Sequence, residues 1–102
     1  MKYYKNGKLL AKAFVDGANE GCIGSKRNPG NLKIVGNQLF HYETPILERS
    51  ADNQFILNVS RYSQVTGLIQ KWLKNETLIE TSYKEAHKVP YGYKGTLEDF
   101  TK

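Results

Sequence analysis

The chain has one cysteine, three prolines, one tryptophan and only ten acidic residues in 102. Each shortage excludes something. A lone thiol, Cys22, cannot form an intramolecular disulfide, and a reducing cytoplasm is its simplest setting. One cysteine with two histidines, His41 and His87, lacks the two close ligand pairs of a compact zinc site, so neither a metal nor a cofactor is expected. No apolar run approaches the ~20 residues that cross a bilayer, and no secretion signal is recognisable at the N-terminus. A Walker-type phosphate loop is also missing, because no glycine-rich turn ends in Gly-Lys-Ser/Thr. With no internal repeat and no long linker, residues 1–102 read as a single domain, able to bury about two-thirds of its unfolded surface.

What is present in strength is patterning between Asn31 and Leu73. Leu32-Lys33-Ile34-Val35, a turn at Gly36-Asn37-Gln38, the run Leu39 to Leu47 and the run Phe55 to Val59 read as three strands. In the second run Phe40, Tyr42, Thr44 and Ile46 fall on one face, with Leu39, His41, Glu43 and Leu47 on the other. In the third, Phe55, Leu57 and Val59 form the expected core face. Pro45 cannot donate to a ladder and so marks an edge, a bulge or a break into two strands. Ser50-Ala51-Asp52-Asn53 is long enough for a four-residue hairpin loop. Ser63 then caps a helix predicted over 64–74. Its apolar residues Val65, Leu68, Ile69, Trp72 and Leu73 make a single stripe that should lie on the sheet. The fold class that follows is α+β, a small antiparallel sheet packed against one main amphipathic helix.

Three segments attach to this 31–75 core. Residues 1–16 read as a hairpin or arm turning at Asn6-Gly7, because both central residues of a type I′ turn need positive φ. Residues 17–30, with four glycines, read as a loop. Within it Gly21-Cys22-Ile23-Gly24, followed by Ser25-Lys26-Arg27, could cradle an anion on backbone N–H groups or clamp a nucleotide backbone as a GxxG loop does. The plain alternative is a surface loop. Residues 76–102 read as a strand over Thr77–Lys84, a tyrosine-rich turn over Val89–Gly95 and a short helical turn capped by Thr96.

Two segments together resemble a family of small uncharacterised proteins of phages and prophages. The first, Gly36 to Ile46, matches a G-x-x-L-x-x-Y-x-T-P-I strand. The second, Leu57 to Thr66, matches an L-N-x-x-x-Y-S-x-x-T strand end leading into a helix. The resemblance carries no activity, but it implies provenance. Small, basic, non-enzymatic phage proteins commonly occupy a surface on nucleic acid, or on host machinery that handles it, CRISPR effectors included.

Charge points the same way. Residues 1–75 hold eleven Lys/Arg against five Asp/Glu, whereas 76–102 hold four against five. The expected contact surface therefore comprises Lys2, Tyr3, Tyr4, Lys5 and Lys8 of the arm, Lys26 and Arg27 of the loop, and Arg61, Tyr62 and Ser63 at the strand-to-helix corner. At that corner free N–H groups of a helix start would face an anion. The expected function is a non-enzymatic binding module of phage or mobile-element type, engaging nucleic acid or a host nucleic-acid-handling protein, an anti-CRISPR inhibitor among the options. Plainer readings are a lysine-guarded sheet edge and a capped helix with Arg61 in water. The competing hypotheses are a small hydrolase or nuclease using His41 and Glu43, and a self-associating structural phage protein.

Overall fold

The computed structural model describes residues 1–50 and 54–101, so most of the loop foreseen at Ser50–Asn53 lies outside the described residues. In chain order the elements are β1 (Tyr3–Tyr4), α1 (Gly7–Val15), β2 (Glu20–Gly24), β3 (Pro29–Val35), β4 (Gln38–His41), β5 (Thr44–Arg49) and β6 (Phe55–Asn58). There follow α2 (Gln64–Trp72), a π-helical segment (Leu73–Thr77), β7 (Tyr83–Ala86) and a 3₁₀ turn (Leu97–Phe100). The class is mixed α+β, but the sheet has seven strands in sequence order instead of being small. Its centre, β2 to β6, is an antiparallel meander. At each edge a helix crosses between parallel strands, β1 to β2 and β6 to β7.

This topology decides where the helices go. β1 and β6 point the same way, and each crossover steps one strand in the same direction along the sheet. Two crossovers of equal hand must therefore put both helices on one face. The contacts agree: α1 packs against the π-helical segment, with Lys8 Nζ 2.9 Å from Glu76 Oε1.

The Asn6-Gly7 pair opens α1 instead of turning a hairpin. The Asn6 side chain accepts a hydrogen bond from the Leu9 N–H at 3.0 Å, closing the helix start, and Leu10, Ala11 and Phe14 are buried along one stripe. A hairpin would have left those side chains in water, so burial overrides the local turn signal. At the other end of α1, Arg49 donates to the carbonyls of Phe14 and Ala18 at 2.6 and 3.3 Å, supplying the partners that a helix C-terminus lacks.

α2 departs from expectation in the opposite sense. Residues 64–72 are helical and Ser63 is the cap, accepting from the Thr66 N–H at 3.2 Å. The apolar stripe faces the core only in its C-terminal part: Ile69, Trp72 and Leu73 pack there, whereas Val65 and Leu68 are 59 % and 60 % exposed, and Thr66 is buried. Polar contacts set the helix rotation. Thr66 meets His41, and the Gln70 amide donates to the carbonyls of Asn58 and Ser60 at 2.6 and 2.9 Å. The winding then widens, with Leu78 N–H donating to Leu73 O at 2.9 Å, and this π-helical turn brings Leu73 and Leu78 into the core.

Residues 17–30 are not a loop. They form β2, a bend at 25–28 and the start of β3. Gly24 has φ +93° and its backbone lies against the Asn28 carbonyl, which leaves no room for a Cβ. The run Leu39 to Leu47 divides at a two-residue turn, Tyr42-Glu43, and the register shift opposite Pro45 is the bulge that proline suggested. The C-terminal strand is Tyr83–Ala86, shifted from Thr77–Lys84, because Thr77 is taken into the π-helical turn. Thr96 caps the final turn as expected.

Alternation along the strands creates two cores. Leu32 and Ile34 of β3, Leu39 of β4, Leu47 of β5 and Leu57 of β6 meet α1, Leu73 and Leu78 on the helix-bearing face. On the rear face Ile56, Ala86, Val89 and Leu97 form a smaller cluster with Tyr93 and Phe100. No helix among the described residues is long and apolar enough to cross a membrane.

Candidate nucleic-acid interface

The strand pairings place several distant segments at one end of the sheet. Tyr4 pairs with Ile23, Gly24 with Pro29, Leu32 with His41, His41 with Thr44, and Asn58 with Ala86. The chain therefore leaves β1 at Lys5, rounds β2 to β3 at Ser25–Asn28, rounds β4 to β5 at Tyr42-Glu43, leaves β6 toward Arg61 and leaves β7 at His87-Lys88, all along the same rim. Lys5, Lys26, Arg27, Arg61 and Lys88 are exposed there and have no ion-pair partner among the described residues. The acids beside this row are Glu43 in the β4–β5 turn and Glu85, 3.8 Å from His87 at the end of β7. Seven strands at ~4.8 Å make the rim ~29 Å long.

Near the β6–β7 corner the rim deepens into a hollow of about 380 Å³ lined by Val59, Ser60, Arg61, His87, Lys88 and Val89. Lys88 has φ +58°, a left-handed conformation that a lysine rarely adopts. Beneath the hollow a buried polar network holds its walls. Asn58 Nδ2 donates to Pro45 O and to the Tyr62 hydroxyl, each at 2.9 Å. Tyr62 in turn donates to Val89 O, and the Val89 N–H donates to Ser60 Oγ at 2.8 Å. From the β5 side Thr44 Oγ1 accepts from the Gly92 N–H at 3.1 Å.

His41 and Glu43 do not form the pair that a shared strand face implied. The turn at Tyr42-Glu43 ends the strand, leaving Glu43 exposed, while His41 is 5 % exposed and bonded through Nδ1 to Thr66 Oγ1 at 2.8 Å. Thr66 Oγ1 lies 3.0 Å from Ser63 Oγ, so the imidazole is tied to the helix cap. Burial holds the His41 pKa below its ordinary value. No group of three or more His, Cys, Asp or Glu side chains is placed to hold a metal among the described residues.

The ten residues singled out from sequence divide in two. Lys5, Lys26, Arg27 and Arg61 share the rim, and Tyr3 lies on the rear face beside Cys22. The other five have internal partners. Lys8 pairs with Glu76, and Lys2 rests 5.4 Å above the Tyr4 ring. Tyr4 packs on the helix-side core, Tyr62 is a strut of the network and Ser63 caps α2. Sequence reasoning overlooked Lys88, which is visible only as half of a His-Lys pair before Val89-Pro90, and Lys33, whose alternation between Leu32 and Ile34 was readable. No protein-family model, curated protein or solved structure matches the chain.

Proposed function

We propose that the chain is a non-enzymatic binding module of phage or mobile-element origin whose cationic rim engages nucleic acid. The observation that carries this reading is the row of five exposed rim cations without an ion-pair partner among the described residues, whereas Lys8, Lys12, Lys74 and Lys84 are paired with Glu76, Asp16, Glu85 and Glu98 and only Lys71 stands unpaired on α2. Unpaired, exposed cations in a row neutralise a phosphate backbone and release its counterions. At the β6–β7 corner the polar network of Asn58, Ser60, Tyr62 and Val89 braces the backbone beside Arg61 and Lys88, which lowers the ordering cost of binding there. The lone Cys22 suits a reducing cytoplasm, the setting proposed for this activity.

A second reading has its own support. Val65 and Leu68 stand exposed on α2 close to the Arg61 corner, an apolar and basic surface that fits a nucleic-acid-handling protein, as an inhibitor of CRISPR effectors would require. A nuclease centred on His41 and Glu43 lacks the geometry it was built on.

The test is capture from host lysate on immobilised protein, with and without nuclease treatment. Nucleic acid retained before treatment and lost after it, together with direct binding of a synthetic oligonucleotide, supports the first reading. Retention of one protein after nuclease treatment, with no oligonucleotide binding, replaces it with the second.

A further inference from the structure

The rear face of the sheet is covered only in part. The turn Leu97–Phe100 and its neighbours lie over β6 and β7, with Gly95 reaching as far as Gln38. The register builds one continuous rung from the uncovered part to the edge of the cover: Tyr3 pairs with Cys22, Cys22 with Lys33, Lys33 with Phe40, and Phe40 with Pro45 of β5, which is buried where the Gly92 N–H reaches the neighbouring Thr44. Paired residues point to the same face, so an aromatic ring, a thiol, an ammonium, a second aromatic ring and a proline stand side by side. Cys22 is 5 % exposed, while Tyr3 and Phe40 are partly exposed and Lys33 is exposed.

We propose that this rung is a stacking platform for the bases of single-stranded nucleic acid, which rests on the nucleic-acid reading above and specifies its substrate. Two partly exposed rings on one face of a sheet, on β1 and β4, can offer π-faces to unpaired bases whatever their identity. Tyr3 and Phe40 are three inter-strand spacings apart, ~14 Å, which is room for two or three bases of an extended strand. Lys33 stands between them. The β2–β3 hairpin that carries Cys22 and Lys33 also ends in Lys26 and Arg27, so bases on the rung would have their phosphates led toward the rim. A duplex, with its bases already stacked and paired, gains nothing from the rings and meets the cations alone. Charge favours this occupant over an acidic or apolar protein surface: Lys33, Lys26 and Arg27 lie on or beside the rung, while of the rear-face acids Glu20 lies 3.6 Å from the Met1 amino group and Glu48 is buried under the C-terminal cover.

Phe40→Leu and Tyr3→Leu keep apolar bulk and remove the ring. Affinity should be measured for a single-stranded oligonucleotide and for a duplex of the same sequence at one salt concentration, with thermal unfolding confirming that each variant is folded. Each variant should lose about tenfold in single-strand affinity, with duplex affinity unchanged. In a Trp72→Phe background, Phe40→Trp should give a tryptophan whose emission is quenched by single strands and not by duplex. Equal losses on both probes, or no loss on either, overturns the platform while leaving the rim as the binding surface. Wild-type protein that binds neither probe overturns both. If sedimentation shows self-association that the two leucine variants abolish, the rung is a face for a second copy, and the platform is overturned.

Discussion

The two halves of the rear face are built from the same strands but serve different ends. Over β5 to β7 the face is sealed: Ile56, Ala86, Val89 and Leu97 are buried. Glu48, itself 3 % exposed, anchors the cover by accepting from Gln38 Nε2 at 2.8 Å, from the Leu97 N–H at 2.9 Å and from Thr96 Oγ1 at 2.6 Å. A buried carboxylate is tolerable here because every bond it accepts is geometrically good and it sits at the start of the 3₁₀ turn. Over β1 to β4 nothing comparable exists. Tyr3, Lys33, Val35 and Phe40 face outward, and Val35 is 53 % exposed. The lesson is that the covered half contributes stability, whereas the bare half and the adjoining rim are free to contribute recognition.

Substitutions should separate these two contributions. Leu97→Ala, at a fully buried position, should cost about 2–5 kcal/mol, read as a fall in the denaturant midpoint, with oligonucleotide affinity retained by the folded fraction. Glu48→Ala should cost about 2–3 kcal/mol and release the C-terminal cover, visible as faster amide exchange of Leu97 and Glu98. Phe40→Leu, in the bare half, should change stability by less than about 1.5 kcal/mol yet weaken single-strand binding, the reverse of the first two. Lys88→Gly removes a cation and relieves a left-handed lysine. It should gain up to about 1 kcal/mol of stability while weakening binding, so the two measurements move in opposite directions.

A further change acts through the front face. Burial holds His41 below its ordinary pKa, so the unfolded chain binds a proton that the folded one resists. The stability linked to this group is complete above the unfolded value of about 6.5 and is lost as pH falls below it. His41→Gln, which keeps a hydrogen-bonding side chain opposite Thr66, should flatten that acid-side decline in thermal unfolding. An unchanged decline would assign it to other groups.

Much of the middle of the chain was legible because strand alternation and turn chemistry agree there. Leu32 and Ile34 bury as their spacing says, Gly36 supplies the positive φ (+63°) of its turn, and Ser63 and Thr96 cap as their positions suggest. The failures have physical causes. Asn6-Gly7 is a hairpin signal and also a cap signal, and only the burial of Leu10 and Phe14 against a sheet not yet assembled chooses between them. Four glycines made residues 17–30 look irregular, yet Gly21 and Gly24 are strand residues that permit a kink and a tight approach. The first half of the stripe on α2, Val65 and Leu68, was read as core along with Ile69, Trp72 and Leu73, which do pack there, although Thr66 and Gln70 outrank the first two by offering hydrogen bonds to buried partners. Of the candidate site, four of the five rim cations could be named from sequence, Lys88 being missed, but they could not be brought together. Lys26, Arg27 and Arg61 converge only through a seven-stranded register that no local pattern contains.

That convergence is tested most directly by the salt dependence of oligonucleotide binding. Wild-type protein should bind a single strand with log K falling linearly in log salt, by ~0.7 per phosphate contacted. Replacing Lys26, Arg27 and Arg61 together by Gln should flatten the slope by about 2, while replacing the ion-paired Lys8, Lys12 and Lys84 leaves it unchanged. A wild-type slope near zero, or equal effects from the two triple variants, would contradict the assignment of the rim as a phosphate-binding surface.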